Sequence, residues 1–208
     1  MLPRLNPALI DIMRARIMKA SSNRLSISKH IPDNLHLADK SYKKAAILVT
    51  LCNRHGIPSM LLTLRSDNVG THRGQVSFPG GHINEGENAE AAAWRETFEE
   101  LGDGVGGLET IGECQTIPAI TGTLVTPIVG FISSDVGDLT HLKYNTDEVQ
   151  SVFTRPLDLL NSPSNLTYER LERLGKTFTM PVFGNMNLIS QQLEAQHSDT
   201  PCGYLPRT

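Results

Sequence analysis

The apolar positions of this chain follow two different spacings. Ala45–Leu51 (Ala-Ala-Ile-Leu-Val-Thr-Leu) is a dense run that reads as a buried strand. Asn53-Arg54-His55-Gly56 is a turn signal, and Pro58–Leu64 follows as a second strand, so the pair predicts a hairpin. Leu108–Cys114 and Leu124–Ile132 read as further strands, with Pro127 near an edge or a bulge because proline cannot donate to a ladder. Glu148–Thr154 reads as a short strand or a helix start, Arg155–Leu160 as a short helix and Thr177–Phe183 as a late strand. Only Ala89–Leu101 carries a strong helical spacing, ended by Gly102 as a left-handed cap. At roughly 100° per residue, Ala91, Trp94, Phe98 and Leu101 share an arc of about 80°, which is expected to be buried. Glu96, Glu99 and Glu100 occupy an arc about 100° wide on nearly the opposite side. Strands before and after one amphipathic helix, without regular β-α-β alternation, predict an α+β sandwich.

Composition narrows the class. The chain has 208 residues, 39% hydrophobic and 20% charged, which suits one sizeable globular domain. No run approaches the 18 or so apolar residues that span a bilayer, so no membrane partner is expected. A net charge of −3 gives no sign of a nucleic-acid binder. That charge is uneven. Residues 1–30 hold six basic side chains and one acid, a balance of +5, which leaves −8 for the rest. Their serines and scarce acids have the composition of a mitochondrial transit peptide. An Ala8–Ala20 helix with Leu9, Ile10, Met13 and Ile17 on one face equally suits a surface helix packed on the domain. The expected location is mitochondrial or cytoplasmic. Cys52, Cys114 and Cys202 are far apart and odd in number, which argues for reduced intracellular thiols, the first two in the core. The expected plan is an extension over 1–40, a domain over 41–184 and a poorly ordered tail over 185–208, in which Leu188–Ala195 could form a helix.

The acidic arc carries the chemistry. Glu96 is i,i+3 to Glu99 and i,i+4 to Glu100, and each such like-charge pair costs on the order of 0.2–0.5 kcal/mol. The last turn also disfavours anions through the helix dipole. A solvated acidic face is one reading. A divalent cation site is the other, because hard cations take carboxylate oxygens and would reverse the repulsion. Arg95, i,i+4 to Glu99, can orient a carboxylate without blocking the metal face. Pro79-Gly80-Gly81 supplies a turn where backbone carbonyls can approach a metal.

Gly81, Glu87, Arg95-Glu96, Glu99-Glu100 and Gly102 stand at spacings that resemble the signature of the Nudix hydrolases at every fixed position. Thr97 and Asp103 depart where the family prefers aliphatic residues, and neither change removes a metal ligand. The resemblance implies an α/β/α sandwich with a mixed sheet. It implies Mg²⁺ or Mn²⁺ held by Glu96, Glu99, Glu100 and the Gly81 carbonyl, for hydrolysis of a diphosphate. Arg95 belongs to the same catalytic set, and Glu87 supports the loop or an outer metal. Glu96, Glu100 and Glu148, the last in the acidic Asp147-Glu148 loop, are candidates for the base.

A second resemblance concerns substrate. Leu61-Leu62-Thr63-Leu64-Arg65-Ser66, Gly74 and Phe78-Pro79-Gly80-Gly81 are similar to the accessory motif of the coenzyme A diphosphatases in that superfamily. It implies cleavage of coenzyme A and its thioesters into 3′,5′-adenosine bisphosphate and a 4′-phosphopantetheine product, with Arg65, Ser66, Arg73, Gly74 and Phe78 at the substrate. The subfamily's further Arg aligns with Gly70, and Arg73 lies three residues on. Arg65, His72 and Arg73 place positive charge upstream of the helix, where the 3′-phosphate of coenzyme A needs a partner. Phe78 packs in the core or stacks on substrate. ADP-ribose, a dinucleotide or an oxidised nucleoside triphosphate stay open as substrates, as does a non-catalytic nucleotide- or protein-binding module. After Pro181-Val182-Phe183 the family's Trp-Gly-Leu-Thr element is replaced by Gly-Asn-Met-Asn-Leu-Ile, which leaves homodimer formation open.

Overall fold

The computed structural model describes residues 2–22, 42–67, 74–119, 122–160, 162–173 and 176–183. The chain divides into two compact units, Met1–Pro156 and Leu157–Thr208.

The first unit is built on a mixed sheet. Its long strands are β1 (Lys44–Arg54), β2 (Ile57–Arg65), β5 (Leu108–Glu113), β7 (Leu124–Asp135) and β8 (Val149–Pro156). Short strands β3 (Val76–Ser77), β4 (Gly80–His82) and β6 (Ile117–Pro118) pair along their edges. Among the described residues β1 and β7 run parallel and the other pairs antiparallel, in the order β3-β2-β1-β7-β5, with β8 on β2, β4 on β1 and β6 on β7. The β1–β2 hairpin is longer than its turn signal suggests. Asn53 and Arg54 pair with Pro58 and Ile57, which leaves His55-Gly56 as a two-residue loop with φ of 50° and 77°. The Asp135 carboxylate accepts hydrogen bonds from both of their N–H groups.

Pro127 lies inside β7, opposite Ile47 of β1. On its other side β5 ends at Glu113 opposite Ile128, and β6 begins at Ile117 opposite Val125. The proline therefore faces an interruption in the neighbouring strands, where its missing N–H breaks no ladder bond.

Helix α2 (Ala89–Leu101) has the predicted bounds but a different buried face. Ala92, Ala93, Thr97, Glu100 and Leu101 are buried, while Ala91 and Phe98 are exposed. Small side chains decide this. Ala92 and Ala93 pack on Ala46, Leu48 and Ile128, which lets the helix approach the sheet closely. The larger rings move to the rim, where Trp94 and Phe98 lie 5.6 Å apart and Trp94 Nε1 donates to Thr110 Oγ1 at 2.9 Å. Leu101 joins Cys52, Leu61, Val105, Ile132, Val149 and Val152 in a second cluster. Cys52 is thus a core thiol, and burial pushes it up to about 12. Gly102 ends the helix at φ 67°, but its ψ of −169° is a glycine-favoured extended corner and not the left-handed cap. A Cβ there would lie 2.8 Å from the Lys143 carbonyl oxygen.

The opposite face of the sheet is covered by the N-terminal arm. Helix α1 (Pro7–Ser22) buries Ile10 and half-buries Leu9, Met13 and Ile17, the predicted face. Residue alternation along β1 turns Ala46, Leu48 and Cys52 toward α2 and Asn53 the other way. There the buried Asn53 side chain accepts from Leu5 N–H and donates to its carbonyl, both at 2.9 Å. Helices on both faces of a mixed sheet make the α+β sandwich. Among the described residues no helix is long and apolar enough to cross a membrane.

The second unit contains α3 (Leu157–Leu160) and the antiparallel pair β9 (Leu166–Arg173) and β10 (Lys176–Phe183). Helix α3 starts later than Arg155 because β8 continues to Pro156. Strand β9 is not visible in the sequence pattern, since Glu and Arg interrupt its apolar positions. The tail over 185–208, with its Leu188–Ala195 helix, lies outside the described residues.

Candidate active site

The site forms where β4 lies against β1 under α2. Gly80, at φ 148°, sits so close to β1 that a Cβ would be 2.3 Å from the Ala46 carbonyl oxygen. Pro79 accepts from Leu48 N–H at 2.8 Å and closes the seam. Gly81 faces α2, where an added Cβ would meet the Glu96 carboxyl group at 2.3–2.4 Å. Glycine here makes room for a carboxylate.

Arg95 ties the acids together. It donates from Nε and one terminal nitrogen to Glu87 at 2.9 and 3.0 Å, the paired geometry that guanidinium suits. Its other terminal nitrogen reaches Glu96 at 2.9 Å and Glu99 at 3.3 Å, and the His82 carbonyl accepts at 3.0 Å. Glu87 also accepts from Asn84 N–H at 3.0 Å. These bonds, those from Arg95 first, hold the Glu87 carboxyl below its ordinary range, and they raise Arg95 further above its own.

Glu100 differs in kind. It is 2% exposed. Its Oε1 lies 3.9 Å from an Arg65 terminal nitrogen, while its Oε2 has no hydrogen-bond partner, and neither does the buried Arg65 Nε. Burial pushes the Glu100 carboxyl up to about 7, with Glu148 and Glu96 adding to the rise and Arg65 opposing it.

Two backbone bonds bring Glu148 to this point. Asn145 N–H donates to the Glu100 carbonyl at 2.8 Å, and Ser66 N–H donates to the Glu148 carbonyl at 2.9 Å. The Asn145 side chain accepts from Asp147 N–H at 3.1 Å and reaches Glu148 Oε1 at 3.5 Å. Asn145 was not among the predicted residues. The Asn-Thr-Asp-Glu turn chemistry was the available signal.

Arg65 ends β2 and Ser66 follows it beside this loop. Arg65 N–H donates to Gln75 and its carbonyl accepts from Gly74, whose φ is 62°. Phe78 is half-buried between β3 and β4. Gly70, His72 and Arg73 lie outside the described residues.

The donor set fits a hard divalent cation. It consists of carboxylate and carbonyl oxygens, which such ions prefer. The partnerless buried Glu100 Oε2 is a costly group until something completes it. Among the described residues no three acidic, histidine or cysteine side chains are grouped so as to hold a metal ion by themselves, and Arg95 engages Glu96 and Glu99. Such a donor set would hold a cation only as an open site, with waters and substrate completing its ligands.

The NUDIX domain family matches residues 41–173. Nudix hydrolase 3 of Caenorhabditis elegans is 38% identical over 208 residues, covering 97% of this chain and 83% of that protein. The "Uncharacterized Nudix hydrolase NudL" of Escherichia coli (strain K12) is 38% identical over 118 residues, 56% of this chain and 59% of NudL. A solved Ap4A hydrolase binary complex from C. elegans is 23% identical, with a TM-score of 0.43 over 55% of this chain and 80% of that one, and carries no weight on substrate. The chain belongs to the Nudix family, and it is a Nudix hydrolase. Enzymes of this family generally use divalent ions such as Mg²⁺ or Mn²⁺.

Proposed function

We propose that this hydrolase cleaves the diphosphate of coenzyme A and acyl-coenzyme A, releasing 3′,5′-adenosine bisphosphate and 4′-phosphopantetheine or its acyl form. The observation that carries the reading is Arg65. It closes the Leu61–Ser66 stretch that resembles the coenzyme A diphosphatase motif, and it stands 3.9 Å from Glu100 with a buried Nε lacking a partner. A guanidinium in that state suits a phosphate oxygen.

Glu96, Glu99, Glu100 and the Gly81 carbonyl would hold Mg²⁺ or Mn²⁺, which when bound neutralises diphosphate charge and acidifies a water. Arg95 keeps Glu87, Glu96 and Glu99 in fixed orientation before substrate arrives. Arg65 holds a diphosphate oxygen. Glu148, oriented by Asn145, accepts the proton of the attacking water, since the three helix carboxylates would be taken up as ligands. The anhydride P–O bond breaks and the departing phosphate monoester carries away the electron pair.

The test is incubation with coenzyme A and Mg²⁺ or Mn²⁺, beside ADP-ribose and diadenosine polyphosphates, with products separated by chromatography. Adenosine bisphosphate with phosphopantetheine is the expected outcome. Turnover of another diphosphate with coenzyme A left intact overturns the substrate and keeps the reaction class. No turnover of any of them favours a binding module.

A further inference from the structure

The loop between β7 and β8 brings Glu148 to the end of α2, and the contact that seats this loop lies outside the acidic spacing. Past Leu101 the chain makes a tight turn, Gly102–Val105. Leu142 of the loop rests on that turn. A Cβ added at Gly104 would lie 2.8 Å from Leu142 Cδ2, and 3.2 Å from both Leu142 Cα and the His141 carbonyl oxygen. The φ of Gly104 is outside the left-handed region, so its backbone would accept a side chain. Only the close approach of the loop requires glycine there.

The seat is linked to Glu148 by packing and by backbone bonds. Leu142, Leu139 and Val136 of the loop are buried in one cluster with Leu101 and Val105. Leu142 N–H donates to the Leu139 carbonyl at 3.0 Å, and Leu139 N–H to the Val136 carbonyl at 3.2 Å. Asn145 N–H then takes the Glu100 carbonyl, a helix-end acceptor that the helix itself leaves unpaired. The Asn145 carbonyl accepts from Glu148 N–H at 3.2 Å and from Val149 N–H at 2.8 Å. The short span from Leu142 to Glu148 is closed by these bonds, so a shift at Leu142 is passed on to the Glu148 carboxylate.

Resting on Glu148 as the proton acceptor named above, we propose that Gly104 and Leu142 are positioning residues for the hydrolysis. Their contact sets how closely the β7–β8 loop approaches α2, and with it the place of the Glu148 carboxylate beside Glu100. They act through Asn145 and Glu148 and touch no reacting group. A displacement of about 1 Å at such a group can cost on the order of 100-fold in rate, which makes a single added methyl at Gly104 readable in turnover.

The experiment is steady-state kinetics of the full chain with Mg²⁺, on whichever of coenzyme A, ADP-ribose and diadenosine polyphosphates the wild type cleaves fastest. Gly104→Ala should lower kcat on the order of 10–100-fold, while KM and Mn²⁺ affinity, read by paramagnetic resonance, stay within about twofold. In a Glu148→Gln background the same substitution should lower kcat no further, because the group it misplaces is already gone. Leu142→Val thins the same contact from the loop side and should show the same pattern more weakly. An undiminished kcat in Gly104→Ala overturns the proposal, as does a loss that adds in full to that of Glu148→Gln, or one matched by the loss of Mn²⁺ affinity. If Gly104→Ala does not fold, Leu142→Val decides by the same criteria. A near-wild-type kcat in Glu148→Gln instead overturns the reading of Glu148 as the base. If the wild type cleaves none of the substrates, amide exchange judges the seat. Exchange over residues 142–149 should quicken on the order of tenfold in Gly104→Ala, and unchanged exchange overturns the proposal.

Discussion

Two arginine–glutamate pairs flank the same helix, and they are built in opposite ways. Arg95–Glu87 has two bonds of 2.9 and 3.0 Å, further bonds to Glu96, Glu99 and a backbone carbonyl, and access to solvent. Arg65–Glu100 joins a buried carboxyl to an arginine side chain that is 24% exposed, 3.9 Å apart, and leaves the buried Nε and Oε2 without partners. Saturated pairs hold a shape. An unsaturated buried pair costs free energy until a ligand completes it, since each unmet buried polar atom costs on the order of 1–3 kcal/mol. The first pair is a scaffold, and the second belongs with the chemistry.

The largest test strikes the unsaturated pair. Glu100→Gln keeps the shape and should lower turnover on the order of 10³-fold, as loss of a preorganised charge does, with an unchanged circular dichroism spectrum. Near-wild-type turnover would erase the distinction between the pairs.

Stability against pH should respond next. The Glu100 carboxyl is pushed up to about 7 in the folded chain from an ordinary 4.5. Below 4.5 both states hold the proton and no penalty applies. As pH rises through 7 the folded state must ionise a buried group, and stability is lost. Urea unfolding in EDTA should show wild type on the order of 3 kcal/mol less stable at pH 8 than at pH 4.5 from this group. Glu100→Gln should lack that component, and Mn²⁺ should restore the wild type. A wild-type slope equal to that of the variant would show the carboxyl to be solvated.

Arg95→Lys breaks the scaffold by losing the paired geometry. Metal affinity, read by Mn²⁺ paramagnetic resonance, should fall about 10–100-fold, with the fold retained. The smallest effect belongs to Glu87→Gln, which keeps one acceptor for Arg95 at a half-buried position. Its kcat/KM should change about fivefold at most. A larger loss than from Arg95→Lys would move Glu87 from the scaffold into the chemistry.

The bounds of α2 were legible because helical periodicity and the glycine at its end are local signals. The spacing of Glu96, Glu99 and Glu100 and the reach of Arg95 to Glu99 are set by that same local geometry, whereas the room that Gly81 leaves for Glu96 depends on how β4 meets the helix. The buried face was misread because Trp94 and Phe98 are the bulkiest apolar residues of the segment. Packing density chose Ala92 and Ala93, since small residues let helix and sheet close together. Strands of two or three residues carry no period, so β3, β4 and β6 exist only through their partners.

What the amino-acid order alone determined is the helix, its acidic spacing, the strands that bear long apolar runs and the family to which they belong. Each of these depends on residues a few positions apart. Only the tertiary structure decided that Glu100 is buried while Glu99 is not, and that Asn145 delivers Glu148 to it. Burial and charge proximity arise from chain segments that meet across dozens of residues, and no local pattern records where those segments meet.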